Sequence, residues 1–255
     1  MTRLDPGRRM KPIAIFQHAP DVGPGYFAQW LDAQGLPYRL LEVEREAVPR
    51  DSAAYSGLCF MGGPMSVNDP LPWIESELAL IRDADARGVP IIGHCLGGQV
   101  LAKALGARVA RQPVKEIGWA EVAITDRALA SEWLGADAPP QVTMFHWHED
   151  AFALPAGARN FMATPSCAHQ AYVVARAGYA HLGMQFHCEM TPALVRAWAL
   201  DPEWNSAVDV EQAAGRGATV QTPAQMIDRL EARAAAMNAW AARLYARWAQ
   251  GLRRG

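Results

Sequence analysis

An apolar run ending in a cysteine flanked by glycines constrains the fold most: VPIIGHCLGGQ, residues 89–99. Its first half has the pattern of a buried strand, and the residues after Cys95 favour a helix. A side chain held at so sharp a corner needs small neighbours two residues before and after it, and Gly93 and Gly97 meet that need. The sequence therefore predicts a strand–turn–helix corner with Cys95 at its tip.

The predicted surroundings of Cys95 suit a nucleophile. The free amides of the first helical turn face the sulfur, and their partial positive charge favours the thiolate over the thiol. Amide donors also suit a developing oxyanion. The alternative is a small apolar cysteine in a glycine-rich turn, and this motif alone leaves both interpretations open.

A cysteine nucleophile needs a base, and His187 is the best candidate among the seven histidines. An apolar strand pattern ends at His187, and Thr191-Pro192 is typical of a helix start. In extended backbone Glu189 shares a face with His187, so its carboxylate can orient the imidazole. His181, in the same strand, is interpreted as a packing or surface residue.

Short apolar runs alternate with helical patterns, which predicts a parallel sheet covered by helices on both faces. The predicted strands are 11–17, 38–43 and 57–61, and the predicted helices are 26–33 and 72–87. The spacing changes after the corner helix. Residues 107–125 and 141–185 indicate shorter strands and turns, and hence an added antiparallel portion.

Three motifs together resemble the class I glutamine amidotransferases over roughly residues 12–200: Gly62-Gly63-Pro64, Gly93-x-Cys95-x-Gly97-x-Gln99 and Phe186-His187-x-Glu189. Within that family the chain is most similar to stand-alone domains related to the glutaminase part of GMP synthetase. The resemblance implies a flavodoxin-like α/β fold with a mainly parallel sheet. It also implies a triad of Cys95, His187 and Glu189 that hydrolyses glutamine through a γ-glutamyl thioester and releases ammonia, without a cofactor.

Two positions depart from the family pattern. Cys188 replaces the proline usual between the histidine and the glutamate, which loosens a loop that proline would stiffen. His94 stands where the family more often has an apolar residue, and it either influences the charge of the thiol or packs inertly.

The resemblance also implies which residues bind the substrate. In the family the amide after the cysteine, here Leu96, joins the glycine turn to form the oxyanion hole, so Gly63 is the candidate partner, with Gly62 next. The implied substrate-binding residues are Gln99, Glu116, Trp147, His148 and Glu149. Glu116 is a candidate partner for the α-ammonium group, and a solvated loop charge is the alternative.

Zinc is a rival explanation for His146 and His148, which alternate along a predicted strand. Two histidines on one face of a strand lack an obvious third and fourth ligand, so we predict no metal site.

Composition excludes several classes of function. The chain has 255 residues, 51% of them hydrophobic and 20% charged, as expected for a globular protein with a full core. A net charge of −2 without a basic stripe argues against a nucleic-acid surface, and no apolar run reaches membrane-spanning length. The four cysteines lack close-paired metal spacing and fit a reduced, cytoplasmic thiol set.

The predicted organisation is a flexible lead over residues 1–10, one amidotransferase domain over 11–200 and a C-terminal helical extension over 201–255. Thr222 to Gln225 have the pattern of a capping box. Apolar residues then recur at helical spacing, which predicts a long amphipathic helix docked on the domain: Met226, Leu230, Met237, Leu244 and Trp248. An interface with a second copy or with a synthetase stays open.

The functional hypotheses differ in the reaction that the site performs and in what would happen to any ammonia released. The sequence contains neither a Gly-x-x-x-x-Gly-Lys-Ser/Thr loop nor a Ser-Gly-Gly-x-Asp-Ser loop that would activate an acceptor. The first hypothesis is a glutaminase, free-standing or paired with a separate synthetase subunit. The second is a γ-glutamyl peptidase with the same thioester chemistry, and the third is a non-catalytic binding protein.

Overall fold

The computed structural model describes residues 10–213, 215 and 218–253, so the predicted lead over 1–10 lies outside the described residues except for Met10. The elements in chain order are β1 Ile13–Gln17, α1 Gly25–Ala33, β2 Tyr38–Glu42, β3 Gly57–Phe60, α2 Pro72–Arg87, β4 Ile91–His94, α3 Leu96–Ala104, β5 Val109–Ile124, α4 Arg127–Leu134, β6 Gln141–Phe152, β7 Arg159–Ala163, β8 Ala171–Arg176, β9 Tyr179–Met184, α5 Pro192–Leu200, α6 Pro202–Ala213, α7 Pro223–Ile227 and α8 Leu230–Ala249.

The strands form one sheet in the order β2-β1-β3-β4-β9-β8-β7-β5-β6. From β2 to β9 neighbouring strands are parallel. Strands β1, β3 and β4 are buried throughout, because α1 and α8 cover one face and α2 and α3 the other. This half of the sheet confirms the predicted α/β layering.

Local signals set the helix boundaries in the parallel half. Helix α2 has Pro72 at its first position and ends at Gly88, whose φ of +72° suits a left-handed cap. Helix α5 begins at the predicted Thr191-Pro192, and the Thr191 side chain accepts a hydrogen bond from the amide of Leu194.

The antiparallel half contains β8, β7, β5 and β6, as the change in spacing predicted. Its strands are longer than the sequence suggested, since β5 has 16 residues and β6 has 12. Strand β5 contains Pro113 and Gly118, residues that are uncommon inside strands. A register shift between Arg111 and Glu116 accommodates the irregular pairing.

The C-terminal region packs on the rest of the chain. The predicted capping box at Thr222 and Gln225 is present, but it starts only the five-residue α7. Arg229 has a left-handed φ of +48° and separates α7 from α8, so the predicted single long helix is two helices. The five predicted apolar positions are all buried in the same core as α1 and α4. We propose that 201–255 extends the unit formed by 11–200.

Two further observations concern the class of protein. Among the helices described, none combines the length and the apolar character that crossing a membrane requires. All four cysteines are free and buried.

Candidate active site

Cys95 occupies the corner between β4 and α3 in a strained backbone conformation, with φ +50° and ψ −109°. The chain crosses closely around this corner. A Cβ on Gly93 would collide with the backbone of Gly97, and one on Gly97 would collide with the carbonyl of Phe60. The two glycines therefore meet the steric need inferred from the sequence, and the corner holds the thiol at the carboxyl edge of the sheet.

The structure brings the three predicted catalytic side chains together. The Nδ1 atom of His187 lies 2.7 Å from Oε1 of Glu189, and Cys95 hydrogen-bonds the same imidazole. All three are buried, with Cys95 slightly exposed at 5%. Burial alone would lower the pKa of His187, but the Glu189 carboxylate and the Cys95 sulfur raise it to about 10. This environment stabilises an imidazolium beside the sulfur.

Backbone contacts fix the position of this constellation. The amide of Cys95 donates to the Met184 carbonyl at 2.9 Å, and the amide of His187 donates to the Phe145 carbonyl at 2.8 Å. The imidazole of His187 also packs edge-on against Trp198, with ring centroids 5.1 Å apart. These contacts tie Cys95 to β9, and they tie His187 to β6 and to α5.

Two of the three predicted oxyanion-hole residues line the cavity, and the third does not. Gly63 and Leu96 both line the cavity beside Cys95, and the Leu96 amide is at the free N-terminus of α3. Gly62 lies behind them, where a Cβ would approach within 2.6 Å of Cε1 of His187. The geometry therefore favours Gly63 over Gly62 as the second donor.

A cavity of about 610 Å³ opens over Cys95 and His187. Three tryptophans form a continuous aromatic wall on the His187 side. Trp198 stacks on Trp204 with centroids 4.5 Å apart, and Trp147 packs edge-on against both. The charged residues of the lining are Asp21, Arg111, Lys115, Glu149, Asp150 and Glu203.

A family model described as glutamine amidotransferase class-I matches residues 28–197. The chain belongs to this family. A glutamine amidotransferase-like protein of Salmonella typhimurium is 30% identical over 180 residues, which cover 68% of this chain and 74% of that protein. A GMP synthase of Lacticaseibacillus rhamnosus is 33% identical over 138 residues, 54% of this chain and 25% of that enzyme. The match thus spans about a quarter of the GMP synthase.

Solved structures agree with the family assignment. The crystal structure of a glutamine amido transferase from Methylobacillus flagellatus has a TM-score of 0.88 and 40% identity, and the match covers 97% of each chain. A glutamine amidotransferase from Thermotoga maritima has a TM-score of 0.77 at 23% identity, covering 94% of this chain and 98% of that one. The second likeness concerns the fold alone, and together they confirm the predicted flavodoxin-like fold.

Four of the five predicted substrate-binding residues line the cavity: Gln99, Trp147, His148 and Glu149. The Gln99 amide donates to the Asp150 carbonyl at 3.0 Å, which ties α3 to β6. Glu149 makes ion pairs with Arg111 and Lys115, so this part of the wall carries charges of both signs.

Glu116 does not line the cavity, which corrects the prediction that it contacts an α-ammonium group or is a solvated loop charge. It is buried behind His148 and accepts hydrogen bonds from His148 at 2.9 Å, Thr164 at 2.5 Å and Gln170 at 2.6 Å. Burial opposes ionisation, but the His148 hydrogen bond helps to lower the pKa of Glu116 to about 2. The physical reason is register, since Glu116 lies opposite His148 on β5 and β6.

Two clusters have ligand types that suit a cation. The first is Glu116, His146 and His148, with ligand atoms within 4.8 Å of one another, so Glu116 supplies the third ligand that the sequence argument against zinc lacked. In the structure that carboxylate already accepts three hydrogen bonds. The second cluster is His94, Cys188 and Glu189, and it is fully buried behind the imidazole of His187.

The two positions that depart from the family pattern meet in that second cluster. The Tyr245 hydroxyl of α8 lies 3.1 Å from Nε2 of His94 and 3.4 Å from the sulfur of Cys188. Burial raises the pKa of the Cys188 thiol well above its ordinary value. His94 and Cys188 therefore pack in the core behind Glu189 and do not face the cavity.

Sequence reasoning missed a buried pair beside the glycine turn. His18, directly after β1, faces Glu77 of α2 and the carbonyl of Gly62. The available signal was positional, because a histidine at the carboxyl end of a parallel strand lies at the edge where such folds bind ligands. Glu77 follows the apolar Ile74 by one helical turn, so it lies on the buried side of α2.

Proposed function

We propose that the chain hydrolyses the γ-amide of glutamine through a thioester on Cys95 and releases ammonia. The observation that carries the proposal is the placement of His187 between the thiol of Cys95 and the carboxylate of Glu189, at the floor of a cavity. Nucleophile, base and orienting acid in that order are what cysteine-dependent acyl transfer requires.

In the first step the Cys95 thiolate attacks the γ-carbonyl carbon, and a carbon–sulfur bond forms. The carbonyl oxygen becomes negative and accepts hydrogen bonds from the amides of Gly63 and Leu96. His187, as imidazolium, then gives its proton to the amide nitrogen. The carbon–nitrogen bond breaks, ammonia leaves, and the γ-glutamyl group stays on sulfur.

In the second step water attacks the thioester carbon while neutral His187 takes its proton. The same two amides hold the second oxyanion. The carbon–sulfur bond then breaks, glutamate leaves, and the thiolate–imidazolium pair is restored. Glu189 keeps the imidazole oriented and stabilises its positive charge throughout both steps.

A partner that uses the ammonia is a separate proposal. Relatives of this chain include GMP synthases, and the matched region covers about a quarter of them. We propose a synthetase on another polypeptide as the partner that takes up the ammonia.

The cavity favours one second candidate, a γ-glutamyl amide with a larger leaving amine. A volume of about 610 Å³ lies in the range of pockets that hold drug-sized ligands, and a free amino acid fills only part of it. The leaving nitrogen must lie near its proton donor, His187, whose ring contacts the tryptophan wall. That wall can therefore contact the substituent of a larger amine.

Steady-state turnover of the purified chain on glutamine and on γ-glutamyl dipeptides tests both candidates, with Cys95→Ala as the blank. Ammonia release from glutamine that the blank lacks supports the first candidate. Brisk dipeptide cleavage with negligible glutaminase activity supports the peptidase and overturns the first. No turnover on either substrate contradicts both.

A further inference from the structure

The side chains of His18 and Glu77 form a fully buried, closely spaced pair next to the glycine turn. Both side chains are 0% exposed, and Nε2 of His18 lies 3.1 and 3.2 Å from the two carboxylate oxygens. Trp73, one turn before Glu77 on α2, stacks on the imidazole with centroids 5.0 Å apart. Because a buried ion pair pays a large desolvation cost, packing alone does not explain its presence.

The other ring nitrogen of His18 reaches the glycine turn. Nδ1 lies 3.1 Å from the carbonyl oxygen of Gly62. One nitrogen faces a carboxylate and the other a carbonyl, and both of these groups accept hydrogen bonds. The ring therefore donates from both nitrogens, and the Gly62 carbonyl is held by a charge-assisted bond.

Because the peptide unit is planar, fixing the carbonyl of Gly62 also fixes the direction of the N–H of Gly63. The chain has no cis peptide bond among the described residues, so the unit joining Gly62 to Gly63 is trans and planar. In such a unit the carbonyl and the following N–H point in opposite directions. When His18 holds the Gly62 carbonyl, the Gly63 N–H must point away from His18. Gly63 lines the cavity and His18 does not.

We infer that His18 and Glu77 are positioning residues that lock the Gly63 amide in its oxyanion-binding direction, so that the isolated chain is active without a partner. The inference rests on the function proposed above. Two adjacent glycines make a turn that can rotate easily, and rotation of this peptide unit would aim the carbonyl at the oxyanion. The anchor to α2 through Glu77 and Trp73 resists that rotation.

The test compares two reactions of Cys95 that differ in their need for an oxyanion hole. Hydrolysis of the γ-glutamyl substrate generates an oxyanion, whereas alkylation of the thiol by iodoacetamide does not. The variant combines His18→Phe with Glu77→Gln. The first change removes the two ring N–H donors of His18, and the second avoids leaving an unpaired carboxylate in the core. We expect kcat to fall roughly tenfold to a hundredfold, with KM and the alkylation rate of Cys95 within about threefold of wild type.

The control is a second histidine–carboxylate pair, His181 with Asp85, which are 3.0 Å apart; its imidazole is buried and its carboxylate is 23% exposed. Neither residue lines the cavity. Combining His181→Phe with Asp85→Asn should lower the melting temperature and leave kcat unchanged.

Each outcome decides the inference. An unchanged kcat in the His18/Glu77 variant overturns it, and so does an equal loss of turnover and of alkylation, which would indicate a purely structural role. If the double variant does not fold, Glu77→Gln alone must show the same selective loss of kcat, smaller in size. An inactive wild type on glutamine and γ-glutamyl dipeptides would contradict both the proposed function and the partner-independent activity, whereas an active wild type with an unaffected double variant contradicts the inference alone.

Discussion

The two halves of the sheet contribute different kinds of groups to the cavity. The parallel half supplies Cys95 at a strained corner and the glycine turn anchored by His18, and these elements are almost entirely buried. The antiparallel half supplies Trp147 and Glu149 of β6, which are partly exposed and contact other groups of the cavity wall. His187 lies three residues after the end of β9, the strand where the halves join.

This difference indicates a division of roles. Groups that must be placed to within a fraction of an ångström lie on buried parallel strands, where the backbone itself fixes them. Under the proposed function, the groups that would contact the variable part of a substrate lie on the partly exposed wall. Changes in the parallel half should therefore affect kcat on every substrate, and changes in the antiparallel half should affect KM and substrate preference.

The largest expected effect comes from Cys95→Ala. Turnover of every γ-glutamyl substrate should be lost, because no other group forms the thioester. The melting temperature should stay close to that of the wild type, since the change removes only one sulfur atom. Steady-state assays and thermal unfolding check this, and residual turnover above background would remove Cys95 from the mechanism.

The next largest effect is expected from changing Glu189, the carboxylate that orients His187. Glu189→Gln keeps a hydrogen bond to His187 but removes the charge that stabilises its imidazolium, so kcat should fall by roughly tenfold to a thousandfold. His187→Ala should be more damaging, because it removes the proton donor and acceptor. An unchanged rate in Glu189→Gln would exclude Glu189 from the catalytic group.

Local sequence signals predicted the strand–turn–helix corner at Cys95 and several element boundaries. Helix α2 was predicted with its observed bounds, because proline at its start and glycine after its end are strong local signals. The spacing of His187 and Glu189 likewise depends only on one short segment. Such features need no knowledge of what packs against them.

Contacts between distant segments could not be predicted in the same way. Glu116 is buried behind His148 because of the β5–β6 register, which includes an irregularity that no local pattern indicates. His18 and Glu77 meet across 59 residues of sequence. The break at Arg229 was also missed, because a left-handed conformation at a residue other than glycine is rare.

A smaller effect should follow from changing the antiparallel wall. Trp147→Leu removes an aromatic ring that lines the cavity and packs against Trp204, so KM should rise by about tenfold with kcat within about threefold. Trp240→Leu, on α8 and away from the cavity, is the matched control and should leave both parameters unchanged. A large loss of kcat in Trp147→Leu would contradict the division of roles.

The smallest expected effect is on stability, and it comes from Asp85 of α2, which contacts Arg176 of β8 and His181 of β9. A hydrogen bond from Arg176 and a second from His181 hold the pKa of Asp85 at about 2, against the opposing effect of burial. Because the folded-state pKa is depressed, this stabilisation is complete above about pH 4 and is lost as the pH falls toward 2. After allowance for solvent screening we expect about 1 kcal/mol.

Unfolding in urea at several pH values measures this contribution. Asp85→Asn should be less stable than wild type at pH 7, and the difference should shrink as the pH falls below about 4. A pH-independent difference would mean that the ionised carboxylate is not its source.

The most direct test of the account is to map where a glutamine-like electrophile attaches. Cys95 is the only one of the four cysteines that lines the cavity, and the other three are buried at 1% exposure or less. Mass spectrometry after stoichiometric inactivation should find the adduct on Cys95, with excess glutamine slowing its formation. An adduct on Cys59, Cys167 or Cys188, or full activity in a protein modified at Cys95, would contradict thioester catalysis at this corner.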